Sequence, residues 1–181
     1  MNKIIKFVMD IWKKYFQVKT ESVEGGETME RMMQEVKVYD TMLAVPFVGK
    51  WEGLKLTAYQ CSAGVWTIGY GSTKGVTEGM VISEDEAEKR LAEDLQTAKD
   101  ALVRLVKVPV SEGQFIALMS IIFNVGSGAI SRSKLLKKLN EGDYKGSATE
   151  FLDFCYANGK RIQGLANRRQ EEYDLFMDDV K

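Results

Sequence analysis

The sequence predicts an α+β fold, mostly helical, in which a small β-hairpin lobe and a larger helical lobe are joined by a long helix. Three stretches predict it. Residues 54–70 hold two short β-type runs, Leu54 to Tyr59 and Val65 to Tyr70, around a Ser62-Ala63-Gly64 turn. Residues 83–105 carry Ala87, Leu91, Leu95, Ala98, Leu102 and Leu105 at helical spacing, a rod of roughly 24 residues and about 35 Å. Beyond Ser111, the residues Phe115, Leu118, Met119, Ile122 and Phe123 make a helix apolar enough to be the buried centre of the larger lobe.

A chain of 181 residues, 45% of them hydrophobic, is long enough for one domain with a real core plus an extension. Its formal net charge of −1 gives no global reason to expect nucleic-acid binding. No histidine occurs, which excludes Ser-His-Asp and Cys-His catalysis and a His-ligated zinc centre. Carboxylates, thiols and hydroxyls remain for any hydrolysis, with no metal or cofactor called for. Two cysteines, Cys61 and Cys155, do not make a disulfide framework and read as reduced thiols.

In chain order, Ile4, Ile5, Val8, Ile11, Trp12 and Tyr15 fall on one face of a helix over residues 1–19. Five lysines against Asp10 give that segment a balance of +4, which suits an anionic membrane surface; the competing reading is a helix packed on the main body. Lys6 and Asp10 interrupt the apolar run too early for a signal peptide or a membrane span. Residues 20–28, with Gly25-Gly26 and three glutamates, read as a linker. Met29, Met32, Met33, Val36, Tyr39 and Leu43 then predict an added helix over 29–43 at the start of a domain running from 29 to 181.

Pro46 opens a short helix through Trp51 that delivers Glu52 to the hairpin. Ser83 with Glu86, and Ser111 with Gln114, each read as a reciprocal cap of the helix that follows. Shorter helices begin at Ser131 or Ser133 and run through Leu139, and at Asp143 or Ser147 and run through Tyr156; a last one spans Leu165 to about Phe176.

Spacing alone makes Glu52 an ordinary surface glutamate. The order Glu52, Cys61, Thr67 within Trp-Glu-Gly-Leu-Lys-Leu-Thr-Ala-Tyr and Trp-Thr-Ile-Gly-Tyr-Gly resembles the catalytic stretch of the phage-type lysozymes, glycoside hydrolase family 24. The family carries Glu, then Asp or in a subset Cys, then Thr, and this chain is similar to the Cys subset. The resemblance continues through Gly113 to Leu118, Phe123-Asn124-Val125-Gly126, Lys134 to Tyr144 and Gly164-Leu165-Ala166-Asn167-Arg168-Arg169, and covers roughly residues 42–177.

That resemblance implies a lysozyme-like fold and an endolysin that hydrolyses the β-1,4 bond between N-acetylmuramic acid and N-acetylglucosamine in peptidoglycan, with inversion. It implies Glu52 as proton donor, Cys61 and Thr67 holding the attacking water, Arg168 (or Arg169 under a shifted alignment) orienting the acid, and Asn124 binding the sugar. A general acid must carry its proton as the bond breaks. An apolar wall such as Trp51 or Phe47 favours that form and a neighbouring arginine opposes it. Many relatives have His where this chain has Ser72, so an ion pair there is not expected. A silent glycan reader and a lytic transglycosylase are the rival readings. The expected partner is peptidoglycan, with the protein a monomer, made in the host cytoplasm and reaching the periplasmic wall with the help of a holin.

Overall fold

The computed structural model describes residues 34–61, 64–157 and 159–180. The helix read over 1–19, the linker over 20–28 and the methionines at 29, 32 and 33 lie outside the described residues. The continuous helix predicted over 29–43 is not formed by residues 34–43, which make two 3₁₀ turns, Val36–Val38 and Thr41–Leu43. The Asp40 carboxylate accepts from Met42 N–H and starts the second turn from an extended residue, which prevents one helix from running through. Val36 and Tyr39 still face the core; Tyr39 stacks on Phe115 at 4.9 Å and donates its hydroxyl to the Val110 carbonyl.

Helix α1 spans Val45–Glu52 with Pro46 in its first turn, where a missing N–H costs nothing. It stops because Gly53 adopts φ 72°, a conformation that disfavours side chains. Glu52 is therefore the last helical residue, fixed between a rigid helix and the hairpin of β1 (Lys55–Gln60) and β2 (Trp66–Gly69). The two strands are antiparallel, with Tyr59 opposite Thr67. Backbone bonds from Ala58 N–H to Met80 and from Ile82 N–H to Leu56 cover the outer side of β1, and Ile68 exchanges two bonds with Ser72 on the outer side of β2.

The connecting rod, α2, is Glu84–Leu105, 22 residues or about 33 Å. The predicted reciprocal cap is only half present. Ser83 Oγ accepts from Glu86 N–H, but the Glu86 carboxylate turns to Arg90 Nε at 3.1 Å, a partner one helical turn on that competes for it. At Ser111 both arms of the cap form. The helix it starts, α3 (Glu112–Val125), buries nine of its fourteen residues, so it is surrounded rather than merely packed on one side. Its principal neighbour is the last helix, α7 (Gln163–Met177).

Between them lie α4 (Ser127–Ile130), α5 (Lys134–Asn140) and α6 (Tyr144–Glu150). Ser133 rather than Ser131 caps α5, and Asp143 rather than Ser147 caps α6; the buried Ser147 hydroxyl donates to Leu135 instead. The helix expected to reach Tyr156 ends at Glu150, passes through a 3₁₀ turn at Phe151–Asp153, and gives way to a second hairpin, β3 (Tyr156–Ala157) and β4 (Lys160–Arg161). The Asn158-Gly159 pair in the sequence is a strong two-residue hairpin signal, and Gly159 takes φ 74°.

Candidate active site

The site is built where the end of α1 meets α7. Arg168 Nη1 donates to Glu52 Oε1 at 2.7 Å, and the two ends of this contact differ in exposure: the Arg168 side chain is 4% accessible and that of Glu52 24%. A buried cation thus holds one oxygen of a carboxylate that still reaches solvent. Among the described residues Glu52 Oε2 has no hydrogen-bond partner. Two residues earlier, Lys50 pairs with Glu171 at 2.6 Å on the exposed side and lies over the Trp51 ring. That outer pair is worth little energetically, but it ties the same two helices together.

Behind Arg168 stands a group that the sequence reading missed. Ser120 Oγ accepts from Arg168 Nε and Nη2, at 3.2 and 3.1 Å, and donates its own hydrogen to Glu172 Oε1 at 2.6 Å. Glu172 Oε1 also accepts from Arg168 Nε and from Arg169 Nη2. Arg169 and Glu172 are both fully buried. Burial holds the Glu172 carboxyl above the usual carboxylate range, against the pull of Arg169, the Ser120 hydroxyl and Arg168. Burial likewise lowers the Arg169 guanidinium, which Glu172 opposes. Both shifts say that desolvation is the largest influence on this pair. The available signal in the sequence was Glu172 standing three and four residues after two arginines on a helix, a spacing equally common on solvated faces.

The two arginines divide the work. Successive residues point about 100° apart on a helix, so Arg168 meets Glu52 while Arg169 Nη1 reaches Asn124 Oδ1 at 3.0 Å. A guanidinium can only donate, so the Asn124 oxygen faces inward and its amide NH₂ is left for a ligand. Asn124 is otherwise exposed, near the end of α3.

Cys61 and Thr67 lie on the first hairpin and share one anchor. The Val65 carbonyl accepts from Cys61 N–H and from the Thr67 hydroxyl, each at 3.0 Å. With its hydrogen committed there, Thr67 can act toward water only as an acceptor. Thr67 is buried and Cys61 partly exposed; neither Cys61 nor Cys155 forms a disulfide. At the far end of the hairpin Ser72 donates to Asp94 Oδ2 at 2.5 Å, so a hydroxyl rather than a cation joins the hairpin to α2. Among the described residues no group of three His, Cys, Asp or Glu is placed to hold a metal ion.

Solved structures that superpose on this chain include the lysozyme of phage P22, 37% identical with a TM-score of 0.71 over 75% of this chain and 95% of that one. The muramidase domain of SpmX from Asticaccaulis excentricus is 33% identical, with a TM-score of 0.70 over 74% and 94%. The fold is that of the glycoside hydrolases that cut peptidoglycan. A relative called endolysin, from Acyrthosiphon pisum secondary endosymbiont phage 1, is 46% identical over 71% of this chain and 91% of its own length. The family model for phage lysozyme matches residues 49–172, and the chain belongs to that family.

Proposed function

We propose that this muramidase cleaves the β-1,4 bond of peptidoglycan by inversion, with Glu52 as the general acid and a water held by Cys61 and Thr67. The observation that carries the reading is the 2.7 Å bond from buried Arg168 to one oxygen of Glu52, which leaves the other oxygen to carry the proton. As the glycosidic bond breaks, that proton passes to the leaving-group oxygen and positive charge builds on the sugar. Water then attacks from the opposite face and loses a proton to bulk solvent, from which Glu52, still reaching solvent, is reprotonated. A thiol is a poorer general base than the carboxylate that most of the family carries at the position of Cys61. Cys61 serves by positioning the water, because an oxocarbenium-like centre asks little of its nucleophile. Asn124 binds the sugar through its outward amide, held by Arg169.

The product tests this. Digestion of purified peptidoglycan should release reducing N-acetylmuramic acid ends of inverted configuration, whereas a transglycosylase would leave anhydro ends and a thiolate nucleophile would retain configuration. Cys61→Ala should lose at least about tenfold in kcat, which is about 1.4 kcal/mol of barrier, while Cys61→Asp stays active. Parental turnover in Cys61→Ala would show that the thiol only fills space.

The protein reads as a monomer that acts on the periplasmic wall after a holin opens the inner membrane. Among the described residues no helix is long and apolar enough to cross a membrane. The basic face and aromatic residues of segment 1–19 support contact with an anionic membrane surface. Removing that segment should leave hydrolysis of purified peptidoglycan unchanged and weaken binding to anionic liposomes, most clearly at low salt. Unchanged liposome binding would dismiss the membrane role.

A further inference from the structure

We infer that Glu172 is a positioning residue of the reaction, a buried counter-ion that holds Arg168 for Glu52 and Arg169 for Asn124. The inference rests on the reading of Glu52 as the proton donor. Glu172 is fully buried, so it acts through its neighbours. Its hydrogen bonds converge on Oε1, which accepts from Ser120 Oγ, Arg168 Nε and Arg169 Nη2, while Oε2 has no partner among the described residues. Each guanidinium is gripped by Glu172 with one nitrogen and offers another, Nη1, to a residue of the site.

A carboxylate and two guanidiniums are expensive to take out of water, and apolar side chains could fill the same space at less cost. What the charged set supplies is a fixed orientation and a charge balance. The charges bearing on Glu172 are Arg169 and Arg168; those at Glu52 are Arg168 in contact and Arg169 beyond it. The Lys50–Glu171 pair lies on the same two helices, and the hairpin that follows Glu52 carries Lys55, Tyr59 and, just past β1, the Cys61 thiol. With Glu52 and Glu172 both ionised, the four buried or half-buried groups are neutral. With Glu52 protonated, as the reaction requires, they carry a single positive charge; without Glu172 they would carry two. Glu172 thus limits the positive field that the proton on Glu52 must withstand, and because Arg168, Arg169 and Glu172 are all buried, little solvent lies among these three charges to screen it.

The test compares the parent with Glu172→Gln and with the charge-balanced pair Glu172→Gln/Arg169→Met, measuring kcat and KM on purified peptidoglycan from about pH 4 to about pH 9. In Glu172→Gln, kcat should fall at least about tenfold and the alkaline limb of its pH profile should move down by about one unit, since the arginines now favour ionised Glu52 more strongly. In the paired variant the limb should return toward the parent's position while KM rises, because Asn124 has lost its donor. A folded Glu172→Gln enzyme with the parent's kcat and limb overturns the inference, as does a limb that stays displaced in the paired variant. Should Glu172→Gln fail to fold, Ser120→Ala decides, since it removes the hydroxyl linking Arg168 to Glu172 without changing charge. A lower kcat at unchanged KM then supports the role, and a parental kcat overturns it. Glu52→Gln is assayed beside them: activity there would sink the acid assignment itself, whereas an inactive Glu52→Gln with a parent-like Glu172→Gln removes only the role of Glu172.

Discussion

Glu52→Gln should abolish hydrolysis of purified peptidoglycan, with a loss of roughly 10²–10⁴-fold or more, the usual contribution of a positioned general acid. The substitution keeps the side chain's length and an oxygen able to accept from Arg168 Nη1, so the junction of α1 and α7 persists. It removes only the transferable proton. Folding should be affected little, because Arg168 keeps Glu172 and Ser120 and the Glu52 side chain is already partly in solvent. Thermal unfolding and the far-ultraviolet spectrum check this in the same preparation. Turnover within a factor of about three of the parent would remove Glu52 from the chemistry.

The second large effect is expected at Arg168. Arg168→Met withdraws one of two cations from a buried carboxylate and releases Glu52, and breaking such a set typically costs about 3–5 kcal/mol. For a chain of this size that is a fall of roughly 6–20 °C in Tm, measurable by calorimetry. At a permissive temperature the folded variant should still lose about a hundredfold in kcat, since a catalytic group displaced by about 1 Å can lose that much. Arg168→Lys separates the two effects: it restores the charge but cannot reach Glu52, Ser120 and Glu172 together, as one planar guanidinium does. It should recover more stability than activity. Equal recovery of both would mean that the charge alone matters.

What could be read from residues and what could not divide along a physical line. The position of Glu52 was legible because it depends on local signals, Pro46 at the start of α1 and Gly53 just past its end. The caps at Ser83 and Ser111 were legible for the same reason, and that of α6 was narrowed to Asp143 or Ser147. Between Arg168 and Arg169 only the family resemblance favoured Arg168, since the contact with Glu52 depends on the rotation of α7 against α1 and α3. Ser120 and Glu172 were invisible because burial of a charge is decided by what packs over it. The 29–43 stripe shows the opposite error: Val36 and Tyr39 are core residues as their apolar character suggests, but turns rather than a helix put them there. A one-residue Asp40 cap outweighed a run of favourable spacing.

The bonds flanking the first hairpin have a consequence for how the chain behaves among copies of itself. A two-stranded sheet ordinarily exposes two rows of unpaired amides and carbonyls that another strand can extend. Here Met80 and Ile82 occupy the outer side of β1 at Ala58 and Leu56, and Ser72 occupies that of β2 at Ile68. The second hairpin has strands of only two residues each, too short to act as a template. The first hairpin therefore offers little on which a neighbouring chain could build, which favours a dispersed enzyme over an aggregated one when its concentration rises.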